Sequence, residues 1–187
     1  MNSLLILCLG IGFLSASGIS IKMWLAFATG ARGERLTERA LAALDDRYLL
    51  IRNWVPPYGK KTGDIDQVLL GPHGALVMEI KNYNRATKCE GDTWFVEAGD
   101  HGYWQPKKSL SSQLRGNIRK VAKRLPGKTS GVLVFNDSAD LTLIDPQVTI
   151  LRRRELLDHV ASLPDRGCTA DGLWTSLSAD TKRGKDK

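Results

Sequence analysis

Gly63-Asp-Ile-Asp-Gln-Val-Leu-Leu-Gly-Pro-His-Gly-Ala-Leu-Val-Met-Glu-Ile-Lys-Asn-Tyr83 is the stretch around which the chain is organised. Two apolar, β-branched runs flank Gly71-Pro72-His73-Gly74, a pattern that predicts a β-hairpin. Asp66 lies near the start of the first strand, and Glu79 and Lys81 lie near the end of the second. Antiparallel pairing makes those two ends neighbours, so the carboxylates can converge. Side chains repeat every two residues along a strand, so Glu79 and Lys81 share a face. A buried strand rarely ends on two charges unless they are paired or bind something.

Two carboxylates and a lysine suit phosphodiester hydrolysis. Mg²⁺ is a hard cation held by one or two carboxylates, leaving positions for water and phosphate. It neutralises charge developing at phosphorus and lowers the pKa of bound water. An ammonium beside it can hold the attacking water. The competing reading of the same residues is a salt bridge at a strand end.

Composition frames the partner. The chain has 187 residues, enough for one domain with extensions and a real core. With 42% hydrophobic and 25% charged residues it is ordinary globular material. A net charge of +7 favours an anionic partner, either nucleic acid or an acidic membrane surface. Cys8, Cys89 and Cys168 are scattered, without zinc-ligand spacing or a disulfide framework, which is compatible with a reducing compartment.

Leu4–Ile21 carries no charge and is mostly apolar. As a helix it would span about 27 Å, enough for a bilayer core. Trp24 and Lys22 follow as interfacial anchors, and Lys22, Arg32, Arg35 and Arg39 lie beyond the span. The positive-inside rule then predicts a single-pass protein of the inner (cytoplasmic) membrane with its body in the cytoplasm. The alternative is export after signal-peptide cleavage, with Leu4–Leu14 as the apolar region and Ser15-Ala16-Ser17 as the cleavage site.

From Glu34 to Asp46, Leu36, Ala40, Ala43 and Leu44 fall at helical spacing. Glu34 and Glu38 share a face of that helix, where pairing with Arg35 and Arg39 is the ordinary role. A strand is expected over Tyr48–Val55, stopped by Pro56-Pro57, and then a loop bearing Lys60 and Lys61 as phosphate contacts. Short strands follow at Thr87–Glu90 and Thr93–Glu97, then a loop with Tyr103 and Trp104 whose aromatics either stack on bases or belong to the core. A helix is expected over Leu110–Leu125, strands at Gly131–Phe135 and Val148–Leu151, and a helix over Arg153–Leu163. Residues 164–187 read as a basic, partly flexible tail.

No acidic residue occurs from His101 to Ser130, whereas Lys107, Lys108, Arg115, Arg119, Lys120 and Lys123 are basic. Such a face is either solvated or neutralised by an anionic partner. Ala122–Thr129 matches a loose phosphate-loop pattern, but it closes a helix and leads into a strand, the reverse of what that loop requires. His73, His101 and His159 are isolated, and no Gly-x-Ser-x-Gly elbow is present.

The order helix, strand, Asp strand, Glu-x-Lys strand, helix, strand resembles the PD-(D/E)xK nuclease superfamily. Gly-Ala-Arg-Gly-Glu at 30–34, Asp-Ile-Asp-Gln-Val at 64–68, Gly74 and Glu-Ile-Lys-Asn-Tyr at 79–83 resemble the nuclease-related domain (NERD) family. The resemblance, over about residues 30–160, implies an α/β fold of the α+β mixed-sheet kind with a restriction-endonuclease-like core, taken here as residues 30–163, and the apolar run read above places one N-terminal hydrophobic helix before it in residues 1–29. It implies a Mg²⁺-dependent nuclease, with Mn²⁺ as a substitute ion, with DNA rather than RNA the expected substrate. The family's helix glutamate falls on Glu34, with Glu38 as the fallback, its metal-binding aspartate on Asp66, and its Glu-x-Lys pair on Glu79 and Lys81. Its later helix glutamine falls on Gln113, although Ser109-Leu110 stands where the family has Asn-Pro. On this reading Asp66, Glu79 and the Ile80 carbonyl hold the metal. The alternatives are a non-catalytic, membrane-anchored nucleic-acid-binding module with the same fold, and a basic domain that binds anionic lipid.

Overall fold

The structure, a computed structural model, describes residues 29–56, 63–82 and 85–179. The expected span at Leu4–Ile21 and the phosphate contacts Lys60 and Lys61 lie outside the described residues. Among the described residues no helix is long and apolar enough to cross a membrane.

The architecture is mixed α/β with two mixed sheets. The larger sheet contains β1 (Leu49–Trp54), β2 (Ile65–Gly71), β3 (Gly74–Lys81), β7 (Thr129–Phe135) and β9 (Thr149–Arg152), in the order β1-β2-β3-β7-β9. The first three strands form an antiparallel meander, and β7 and β9 add parallel to β3 and β7. The smaller sheet contains β4 (Thr87–Glu90), β5 (Thr93–Glu97), β6 (Tyr103–Trp104) and β8 (Leu141–Ile144), in the order β6-β5-β4-β8. Helix α1 covers residues 29–41. The later helices are α2 (Leu110–Ala122), α3 (Leu156–Ser162) and α4 (Ala170–Ser178).

The parity of β3 divides the core. Ala75 and Val77 belong to an apolar cluster with Leu110, Leu114 and Val121 of α2 and with Leu173 and Leu177 of α4. Leu76 and Met78 belong to a second cluster with Leu41 of α1 and with Leu156 and Val160 of α3. A strand buried on both faces must be apolar at every position, which is why β3 reads as a continuous hydrophobic run. The same alternation sends Glu79 to the α2 side. On β2, Val68 and Leu70 lie on the α2 side and Leu69 on the other, so Asp66 also faces α2.

The hairpin closes through Pro72-His73, with Gly71 paired to Gly74. Gly74 has φ +104°, and an added Cβ would lie 2.3 Å from the Lys128 carbonyl oxygen. That carbonyl accepts from the Ala75 amide at 2.7 Å, so the turn is locked to the loop entering β7.

Several elements depart from the sequence expectation. Helix α1 runs through Gly33 and ends at residue 41 rather than spanning Glu34–Asp46. Gly33 packs on the end of β3, where a Cβ would meet Asn82 at 2.8 Å. Beyond the helix, the Asp45 carboxylate accepts from the Arg47 backbone and guanidinium, a local arrangement that competes with helix. The helix expected to continue to Leu125 ends at Ala122. Arg153–Glu155 is a 3₁₀ turn leading into α3, with Glu155 Oε2 accepting from the Arg152 amide at 2.8 Å. Strands β6 and β8, and helix α4 in the segment read as a tail, were not anticipated. Helix α4 exists because Leu173 and Leu177 bury one short face against β2 and β3 and Thr169 caps its first turn.

Gly74→Ala should destabilise the chain by about 3 kcal/mol, because it meets backbone and holds an L-residue at a left-handed φ. Gly91→Ala, at φ +57° in open space, should cost only about 1 kcal/mol. Urea unfolding midpoints test the pair, and equal costs would contradict the Lys128 contact.

Candidate active site

Continuing the β2–β3 register, in which Gln67 faces Met78, places Asp66 directly opposite Glu79. Like charges in that position repel. Three donors hold Glu79, whose residue is 1% exposed. Lys81 Nζ donates to Oε1 at 2.8 Å, Gln113 Nε2 donates to the same oxygen, and Asn117 Nδ2 donates to Oε2 at 2.8 Å. A buried carboxylate without such partners would cost several kcal/mol, roughly 3–5 by the behaviour of broken buried pairs.

Asp66 Oδ2 accepts from the Ile80 amide at 2.9 Å. Burial, and then the charge of Glu79, push its pKa up to about 6, against the opposing pull of the Ile80 amide and Lys81. Glu34 adds to the same upward push. Glu34 itself is raised above the ordinary carboxylate range, first by burial and then by Asp64 and Glu79, with Arg35 opposing. Three carboxyl groups from α1, β2 and β3 therefore share one field. Their convergence depends on how α1 is docked: Gln67 Nε2 donates to the Glu34 carbonyl at 3.0 Å, Asn82 Nδ2 donates to the Thr29 carbonyl at 2.9 Å, and Gly33 allows the close approach.

The remaining sequence-predicted residues separate. Glu38, the fallback for Glu34, forms an exposed pair with Arg52 at 3.0 Å and is not part of this cluster. Gln113 is part of it. Arg115 is not an uncompensated cation: its guanidinium grips Asp92 through two bonds of 2.9 and 2.6 Å. The counter-charge missing from the 101–130 segment comes from the β4–β5 turn instead. Lys120 bonds Asn117 Oδ1 at 3.0 Å and the Gly63 carbonyl at 3.3 Å, so it supports the site rather than an outer basic face. Lys107, Lys108, Arg119 and Lys123 are exposed.

Sequence reasoning missed Asn117, the inward role of Lys120, and Asp64. Gln113, Asn117 and Lys120 stand at i, i+4 and i+7, so one helical face carries the polar support; that spacing was the available signal. A cleft of about 440 Å³ lies elsewhere. It is lined by Tyr48, His73 and Val160 at the hairpin turn, roughly 20 Å along the strands from Asp66.

The family profile of the nuclease-related domain (NERD) matches residues 29–138. The chain belongs to that family. No curated protein and no solved structure gives a significant match.

The donor set suits a hard divalent cation, since opposed carboxylates at Asp66 and Glu79 carry the excess negative charge such an ion relieves. Among the described residues, no group of three or more His, Cys, Asp or Glu side chains forms a metal-holding cluster. Two carboxylates completed by water and phosphate are the usual requirement of Mg²⁺.

The raised pKa of Asp66 makes its ionisation unfavourable to folding. That penalty is absent below about pH 4, where the group is protonated folded and unfolded, and complete above about pH 6. Asp66→Asn should therefore raise the melting temperature of the metal-free chain by a few degrees at about pH 8 and leave it nearly unchanged at about pH 4. An identical shift at both pH values would contradict the raised pKa of Asp66.

Proposed function

We propose that the chain is a metal-dependent nuclease with a restriction-endonuclease-like PD-(D/E)xK core over residues 30–163, hydrolysing phosphodiester bonds in DNA. The observation that carries this reading is Asp66 opposite Glu79, with Lys81 bonded to Glu79 and the Ile80 amide bonded to Asp66. Family membership supports a nuclease-related function.

Asp66, Glu79 and the Ile80 carbonyl would hold Mg²⁺ or Mn²⁺, which supplies Lewis-acid polarisation of the phosphate when bound. Gln113 and Asn117 fix the orientation of the Glu79 carboxylate, and Lys120 fixes Asn117 in turn. The Lys81 ammonium holds the attacking water and screens charge on the phosphate oxygens. Glu34, with its raised pKa, accepts a proton from that water more readily than an ordinary carboxylate would. Lys107, Lys108, Arg119 and Lys123 contact backbone phosphates, a mode that is salt-sensitive and carries little sequence preference. Leu4–Ile21 tethers the domain to the cytoplasmic membrane, with the catalytic part in the cytoplasm.

One observation favours a second reading. Both Glu79 oxygens are already occupied by donors, as they would be in a nucleic-acid-binding module that keeps the fold without the chemistry.

Labelled single- and double-stranded DNA and RNA, incubated with Mg²⁺, Mn²⁺ or EDTA, separate the two. Cleavage that requires the ion is expected. Asp66→Ala and Lys81→Ala should each reduce it by roughly 100-fold or more while leaving the far-ultraviolet circular dichroism intact. Binding without cleavage under every metal condition would establish the second reading.

A further inference from the structure

Strand β6 places two large aromatic side chains where folding alone gives no reason to put them. Tyr103 is 56% exposed and Trp104 is 47% exposed, whereas Trp54 and Trp94 are buried in the core. Strand β6 is the outer strand of the smaller sheet and, among the described residues, pairs through Val96–Trp104 and Glu97–Tyr103. Adjacent strand residues point to opposite faces, so the edge offers two separate aromatic surfaces.

This edge is tied to the segment that leaves the carboxylate cluster at the end of β3. Glu97, the partner of Tyr103, accepts from the Ala86 amide at 3.3 Å through its side chain and from Arg85 at 3.4 Å through its carbonyl. Ala86 follows Lys81 by five residues, so β6 is within roughly 25 Å of Lys81. Lys107 and Lys108, both exposed, come next in sequence, and no acidic residue intervenes before α2.

We propose that β6 is a stacking platform for the unpaired bases of a polynucleotide, with Lys107 and Lys108 holding the adjoining phosphates. Lys107 and Lys108, against the one exposed acid Asp100 in the preceding turn, leave residues 99–109 with a net charge of +1, which favours a polyanion. Bases inside a duplex have no free π-face to offer, so the strand engaged here is unpaired, and stacking makes the contact tolerant of sequence. The proposal rests on the nucleic-acid reading of the previous section and adds the strand state that the site takes.

The test is fluorescence anisotropy of the full chain in EDTA, with a labelled oligothymidylate and an abasic phosphodiester strand of equal length. Tyr103→Ala/Trp104→Ala should weaken oligothymidylate binding about tenfold or more, by the usual worth of base–aromatic stacking, and leave the abasic strand unaffected. Lys107→Gln/Lys108→Gln should weaken both strands alike. Trp104→Phe, which keeps an aromatic ring, should lose less than the double alanine variant. Equal weakening of both strands by the double alanine variant, or no weakening, overturns the platform while leaving nucleic-acid binding standing. Failure of the unsubstituted chain to bind either strand overturns the nucleic-acid reading as well.

Discussion

A carboxylate buried at the end of the central strand sets the terms for everything around it. Glu79 is nearly inaccessible, and its two oxygens are satisfied by Lys81 from its own strand and by Gln113 and Asn117 from α2. Removing any one donor leaves a charged oxygen short of a partner in a low-dielectric site, where the loss is larger than at the surface. The register of α2 against β3 is therefore specified by hydrogen bonds as well as by Leu114 and Val121. Gly131 strengthens the fit, since a Cβ there would meet Ile118 at 2.6 Å.

Opposite Glu79, Asp66 is tolerated for a different reason. One amide bond and the nearby ammonium do not offset burial beside a second carboxylate, so its pKa stays well above that of a free aspartate. Glu34 completes an acidic centre that the fold holds together at an electrostatic cost. Sites that concentrate like charge in this way are often functional, because a cation or a proton is what relieves them. Here the cost is confined to the rim of a core that is otherwise apolar on both faces of β3.

The hairpin and the charged side chains gathered at its open end were legible from residues 63–83, because strand period and turn chemistry act over short range. The strands at Thr87–Glu90 and Thr93–Glu97 were legible for the same reason. Strand β8 was not: three of its four residues are exposed, and it is a strand only because it lies parallel against β4. Helix α4 likewise depends on two leucines finding β2 and β3. In the basic segment from Lys107 to Lys128, charge counted along the chain cannot reveal that Asp92 neutralises Arg115 from another element or that Lys120 turns inward.

Residue order alone determined which face of each strand carries charge, because alternation along β2 and β3 leaves Asp66, Glu79 and Lys81 no other side to occupy. It also determined that Glu34 and Glu38 would share a helix, but not which of them would approach the acidic centre. Tertiary packing made that choice: Gly33 lets α1 close onto the end of β3, bringing Glu34 into the field of Asp66 and Glu79, while Glu38 is taken up by Arg52. Packing also recruited Asn117, since a helix records its own periodicity but not the partner against which each face will rest.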